Sequence, residues 1–219
     1  MIIEPYSIKR ITDTSTEPIT LSEAKAHLRV DTTDDDSYIT NLIQVARESA
    51  EISLRRSLGV NQAYQASYKT YPTVQRKLRI PNPPFISATS LKYFDLDNVE
   101  QTVASDKLVI DSTGDTNAFV AIKSSVLFNS ISFEKVAPVI FTYTAGYSDV
   151  ADIPKPIIQG MYLLLSHYYD TREPISYTGN PIPIPRSVDF LFNQYKVRLP
   201  WLSYITSVMK KHQLELTVV

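Results

Sequence analysis

Ile19-Thr20-Leu21-Ser22-Glu23-Ala24-Lys25, followed by Asp34-Asp35-Asp36-Ser37-Tyr38-Ile39, decides how the chain begins to fold. Thr20 and Glu23 have the spacing of a capping box. The hydroxyl can accept from the Glu23 N–H, and the carboxylate can reach back to the Thr20 N–H. Ile19 and Ala24 are placed as a hydrophobic staple, and Leu21, Ala24 and Leu28 share one face. The spacing predicts a helix ending near Val30. A longer helix follows, with Thr33 as its cap and Asp34, Asp35 and Asp36 in its first turn, where carboxylates favour the positive end of the helix dipole. Ile39, Leu42, Ile43, Ala46, Ala50 and Leu54 recur at helical spacing, and Gly59 is a natural stop.

The second helix carries more apolar surface than one neighbour usually covers. Tyr38, Val45 and Ile52 form a second stripe, seven residues apart, to one side of the first. Asn41, Gln44, Glu48, Glu51 and Arg55 make up the polar remainder. Either another part of the same chain packs on the second stripe or a neighbouring subunit does. On the second reading Tyr38, Val45 and Ile52 are subunit-interface residues.

From residue 62 to 147 the period changes. Short β-branched and aromatic runs alternate with turn clusters, which predicts strands over 64–71, 77–80, 89–94, 108–111, 119–123, 130–134 and 139–144. Pro81-Asn82-Pro83-Pro84 is a loop, and 95–98 and 112–117 are turns. Helix returns after Asp152, with Pro154 in its first turn. Ile157, Ile158, Met161, Leu164, Leu165 and Tyr168 form its apolar face. Gly160 inside this helix costs about 1 kcal/mol against alanine, and a close-packed neighbour would explain it. A proline-rich loop over 174–186 leads to a last short helix over 187–199, with Val188, Leu191, Phe192 and Tyr195 inward. Pro200 ends it.

The fold class expected is therefore α+β: a helical core from the N- and C-terminal helices, with a β-rich insertion between them. The divisions are 1–60 for the first helical part, 61–147 for the insertion, 148–199 for the second helical part and 200–219 for a C-terminal extension. That extension is more apolar than a disordered terminus should be. Trp201, Leu202, Tyr204 and Ile205 suit an amphipathic helix, and Leu214, Leu216 and Val218 alternate as in a strand. A free segment of this kind would be an aggregation hazard, so a partner is expected. It either folds back on its own subunit or adds a strand to another protein.

Composition narrows the function classes. The 219 residues are 43% hydrophobic and 21% charged, enough for a real core. A net charge of −1 gives no basic field to attract nucleic acid. With no cysteine there is no disulfide or thiolate chemistry, and a reducing compartment is expected. An acid and a proline follow within the first five residues, which rules out a signal-peptide core there, and runs such as Met161 to Leu165 are far too short to span a bilayer. A soluble chain of intracellular origin, with no membrane partner, is the expectation. Only 5 glycines argue against a phosphate-cradling loop, whereas 14 tyrosines suit broad contact surfaces or half-buried sheet positions.

Residues able to do chemistry are scattered. His27, His167 and His212 each lack a Glu or His at ligand spacing, and no nucleophile elbow, zinc-protease motif or phosphate loop occurs. Asp95-x-Asp97-Asn98 opens like a calcium loop but fails at Glu100, where glycine is needed, and at Asp106. Arg55-Arg56 and Lys210-Lys211 lack interleaved aromatics and do not form a nucleic-acid groove. No catalytic residue, metal site or cofactor is expected, and the chain is read as structural rather than enzymatic.

The order of elements resembles the head–tail connector (adaptor) proteins of tailed bacteriophages. The resemblance rests on Ile19 through Lys25, Leu28-Arg29-Val30-Asp31, Asp34 through Ile39 and Leu42-Ile43. It continues in Tyr143-Thr144-Ala145-Gly146-Tyr147, Ile153-Pro154, the helix through Tyr169, Arg172-Glu173, Ile184-Pro185, Ser187-Val188 and Tyr195. It spans about 18–199. The long β insertion and the tail after Pro200 depart from the family's core pattern.

The resemblance implies a homo-oligomeric ring, commonly dodecameric, beneath the portal protein at the head–tail junction of the virion, assembled in the host cytoplasm. Such a ring extends the DNA channel, with the genome as passing cargo, and gives the downstream neck or tail protein a platform. It also implies that the tail residues Trp201, Leu202, Tyr204, Ile205, Leu214, Leu216 and Val218 dock on the portal. Other readings are a stopper or tail terminator, a DNA-packaging factor, or a virion hydrolase. The first is disfavoured by the helix–β–helix order, the second by near-neutral charge, the third by the missing acid–base constellation.

Overall fold

The computed structural model describes residues 2–14, 16–73, 76–112, 116–123, 131–132, 134–171 and 186–198. Four helices and two sheets are found among them. The first helix, α1 (Leu21–Leu28), begins as its sequence predicts. The Glu23 N–H donates to Thr20 Oγ1 at 3.3 Å, and Glu23 Oε2 accepts from the Thr20 N–H at 2.9 Å. Ile19 and Ala24 are both buried in one apolar cluster. Arg29 closes the helix in the left-handed region, at φ 58°.

The second helix, α2 (Asp36–Leu54), starts and stops differently from expectation. Thr33 does not cap it with its side chain; its carbonyl accepts from the Asp36 N–H. Asp35 is the N-cap and makes no side-chain cap bond. The acidic run is instead held by other helices. Asp36 pairs with Lys25 of α1 at 2.5 Å, and Asp35 accepts from the Tyr169 hydroxyl at 2.6 Å. At the far end Arg55, not Gly59, terminates the helix, with φ 57°.

Two helices complete this layer: α3 (Lys155–Asp170) and α4 (Arg186–Asn193). Pro154 is the N-cap of α3 rather than a residue of its first turn. The expected face of α3 is buried at Ile157, Met161, Leu164 and Leu165, with Ile158 and Tyr168 half-buried at its margin. The last helix is shorter than its apolar pattern, but Val188 and Phe192 are buried as expected, and so is Val197 beyond it. Gly160 has the close neighbour its position calls for, since a Cβ there would stand 2.3 Å from the Phe192 ring. Gly160→Ala is therefore expected to lower stability by about 1–2 kcal/mol, overpacking outweighing the gain in helix propensity. Denaturation midpoints check this, and Phe192→Leu in the same background should recover part of the loss.

The strands build a four-stranded and a five-stranded sheet. These are β1 (Ile2–Ile3), β2 (Ser7–Arg10), β3 (Gln62–Tyr68), β4 (Lys77–Ile80), β5 (Phe85–Phe94), β6 (Glu100–Val103), β7 (Leu108–Asp111), β8 (Ala118–Ile122) and β9 (Val139–Ala145). The first sheet has the order β1-β4-β8-β7, with β1 parallel to β4. The second has the order β2-β3-β9-β5-β6 and is antiparallel throughout. Both sheets contribute to one apolar core. The central pair shows why the register is fixed. Along β3 and β9 alternate residues are buried and face one another: Ala66 opposite Phe141, Gln62 opposite Ala145, and Tyr64 stacked on Tyr143.

Residues 1–60 are thus not helical alone, because β1 and β2 pair with strands from the middle of the chain. Residues 100–103, not anticipated as a strand, form β6. Of the strand expected over 130–134, the described residues are Ile131, bridged to Asp95, buried Ser132, and Glu134, which is exposed and lies in a bend rather than a strand. The chain leaves the helices and returns to them through adjacent crossings. Val60 bridges Tyr147, and the Ser57 and Gly146 N–H groups donate to the Pro83 and Pro84 carbonyls at 3.0 and 2.8 Å. The 81–84 loop is therefore the common abutment of both crossings.

Candidate functional site

The second helix is fixed in place by charge as well as by its apolar face. Arg47, which the helical pattern assigns to no face, is fully buried. Its Nε donates to Glu17 at 2.8 Å, and its terminal nitrogens reach Glu51 at 3.2 Å and Asp13 at 3.3 Å. Glu51 also accepts from the Leu58 and Gly59 N–H groups, so one carboxylate joins the guanidinium to the turn after the helix. Arg10 of β2 adds contacts to Asp13, Glu48 and Glu51. Gln62 donates to Asp13, and its carbonyl accepts from the Tyr64 and Ser57 hydroxyls.

These groups titrate away from their ordinary values for identifiable reasons. Burial works against the charge of Arg47, but the Glu17 hydrogen bond and the Glu51 and Glu17 carboxylates more than compensate, and its pKa is raised. Burial pushes the Glu51 carboxyl up; the Leu58 amide and Arg47 oppose this without cancelling it. Asp13 feels burial too, yet the Thr14 amide and the Arg47 and Arg10 charges bring it below the usual carboxylate range. Burial carries the Tyr64 hydroxyl to about 12. The cluster links helix, turn and sheet, and each charge in it has partners.

The stripe on the opposite side of α2 is divided by the fold. Tyr38 is half-buried: its hydroxyl donates to the Tyr168 carbonyl at 3.4 Å and its ring lies 6.1 Å from that of Tyr169. Its neighbour is thus α3 of the same chain. Val45 and Ile52 are 44% and 79% exposed. Trp201, Leu202, Tyr204, Ile205, Leu214, Leu216 and Val218 lie outside the described residues, as does His212.

The other chemical candidates have structural occupations. The His27 ring lies tilted against that of Tyr162, centroids 4.7 Å apart, and His167 lies against Tyr168. Asp95 organises a turn, accepting from Gln101 and from the Val99 and Asp97 amides. Those bonds, the Gln101 one foremost, hold its carboxyl below the ordinary range. Among the described residues no group of three or more His, Cys, Asp or Glu could hold a metal ion, and no helix is long and apolar enough to cross a membrane.

Comparison with known proteins adds sequence and fold relationships. Residues 18–80 match the family model described as phage gp6-like head-tail connector protein. No curated protein matches the chain. Among solved structures, a chain from the neck of an empty gene transfer agent (GTA) particle, computed with C6 symmetry, superposes with a TM-score of 0.71. It is 18% identical, and the match covers 88% of this chain and 96% of that one. A chain from the neck of the native GTA particle, computed with C12 symmetry, gives a TM-score of 0.67 at 16% identity with the same coverage. The family match takes in α1, α2 and Arg47 with Glu51, but not Arg10, Asp13 or Glu17, and the fold match extends far beyond it. Residues 18–80 thus carry a sequence signature similar to head-tail connector proteins, on a fold that this chain shares with a neck chain over 88% of its length.

Proposed function

We propose that the chain is a structural ring subunit of a tailed-phage neck, seated beneath the portal, extending the DNA channel and receiving the next neck or tail protein. The observation that carries this reading is the connector match over residues 18–80 on the fold of chains from necks computed with C6 and C12 symmetry. A ring of identical subunits uses one heterologous contact, so each subunit needs two different adhesive surfaces. The exposed Val45–Ile52 side of α2 is one candidate, and Tyr38 at its margin would be shared with α3. In this reading the helices form the core, the strands between them are an insertion, and the protein acts by position without catalysis, first in the host cytoplasm and then in the virion. The tail beyond residue 199, carrying Trp201, Leu202, Tyr204, Ile205, Leu214, Leu216 and Val218, docks on the portal.

Two variants test it. Val45→Asp is expected to leave the subunit folded and to abolish stable assembly, because burying an unpaired carboxylate costs several kcal/mol, roughly 3–5, of association. Truncation after Leu199 is expected to leave a soluble subunit that no longer binds portal-containing heads. Pull-down on such heads reads both. Wild-type binding by either variant removes the corresponding surface from the proposal, and a truncation that unfolds assigns the tail to its own subunit.

A further inference from the structure

Two exposed features lie at opposite edges of the five-stranded sheet, and their chemistry is complementary. At the β2 edge the chain passes from β1 to β2 near the C-terminal end of α2. It leaves two adjoining hollows there of about 380 and 300 Å³, which share Ile8, Arg55 and Asn82. Ile8 and Ile52 are exposed apolar walls. Arg55 has no side-chain partner among the described residues. Arg79, only 6% exposed, reaches Glu4 at 3.5 Å and keeps a buried Nε without any hydrogen-bond partner. The groove therefore pairs apolar walls with the Arg55 guanidinium, whose donors are unused among the described residues.

The turn between β5 and β6 is at the other edge. It projects Leu96 and Val99, 55% and 53% exposed, on either side of the exposed Asp97. Asp95 stiffens it by accepting from the Asp97 and Val99 amides and from Gln101. An ordered tip loses little conformational freedom on docking. It is acidic and apolar where the groove is basic and apolar. The two features lie at opposite edges of the sheet, so one two-fold contact does not bring both turns into both grooves. A contact from one sheet edge to the opposite edge of the next molecule repeats in one direction, as a ring requires.

We propose that the β5–β6 turn of one copy seats in the groove of the next copy, with Leu96 and Val99 against Ile8 and Ile52 and Asp97 facing Arg55. This inference rests on the ring reading above and names the surfaces that would close the ring. The chain has no cysteine, so introduced thiols report without background. In the full-length Ile52→Cys/Leu96→Cys double variant, mild oxidation at high protein concentration is expected to give a ladder of covalent multimers. Each single variant stops at a dimer. Arg55→Glu is expected to weaken assembly at least tenfold by sedimentation, and Asp97→Lys in the same chain to restore it. If wild type sediments as a ring while the double variant stays monomeric, the inference falls and the ring reading stands. The inference falls in the same way if cross-links form only when Leu216→Cys replaces Leu96→Cys, since the tail then fills the groove. If neither wild type nor variant exceeds a monomer, with or without portal-containing heads, both fall.

Discussion

Arg47→Met is expected to destabilise the subunit by about 3–5 kcal/mol, because removing one partner of a buried ion cluster leaves the others uncompensated. The side chain is fully buried, so methionine replaces it in volume but not in charge. Its partners do not suffer equally. Asp13 and Glu17 retain 47% and 32% side-chain exposure, and water can take over much of the work of the guanidinium. Glu51 retains 11%, and its remaining cationic partner is Arg10 at 3.5 Å. The penalty therefore concentrates at Glu51. Glu51→Gln in the Arg47→Met background should recover about 1–2 kcal/mol by removing the stranded charge while keeping an acceptor for the Leu58 amide. Glu17→Gln should recover less. Urea denaturation of the single and double variants decides the matter, and an Arg47→Met protein as stable as wild type would show that the cluster does not hold α2.

Gly146→Ala should cost a similar amount, on the order of 4 kcal/mol, from backbone strain and overpacking together. The residue sits at φ 109°, which side-chain-bearing residues rarely adopt, and a Cβ would stand 2.1 Å from the Gly59 carbonyl oxygen. Neither side can retreat easily. The Gly59 carbonyl accepts from the Tyr147 N–H, and the Gly146 N–H is held by the Pro84 carbonyl. Gly59→Ala provides the contrast, because its clashes are with the Gln62 and Thr14 side chains rather than with backbone, and its φ is not in the left-handed region. Its loss should be clearly smaller. Equal losses would mean that crowding, rather than backbone conformation, governs the crossing.

The elements written in local chemistry were legible without a structure. The Thr20–Glu23 box, the buried face of α2 and the β3 and β9 alternation all depend on neighbours three, four or two residues away. Apart from β6, which pairs with the neighbouring β5, the failures share one cause, which is that their reasons lie far along the chain. Asp35 and Asp36 look like helix-start charges until Tyr169 and Lys25 claim them. The strands β1 and β2 are too short and too polar to declare themselves, and exist because β4 and β3 offer open edges. The helical pattern assigns Arg47 to neither face of α2. What buries it is a loop thirty residues earlier that brings Asp13 and Glu17 across it. An (i, i+4) pairing with Glu51 was the one local sign. The second stripe was legible as an excess of apolar surface, but its division between α3, which takes Tyr38, and exposed Val45 and Ile52 was not.

Arg55 closes α2 in a conformation that glycine adopts freely and an arginine holds at a cost of roughly 1 kcal/mol. A lone subunit selected only for thermal endurance would gain by exchanging it. In the assembly proposed above the same exchange would strip the groove of its unpaired cation. One backbone angle thus sets the durability of the free subunit against its capacity to associate, and screens that reward heat resistance alone should drift toward glycine at this position and away from the ring.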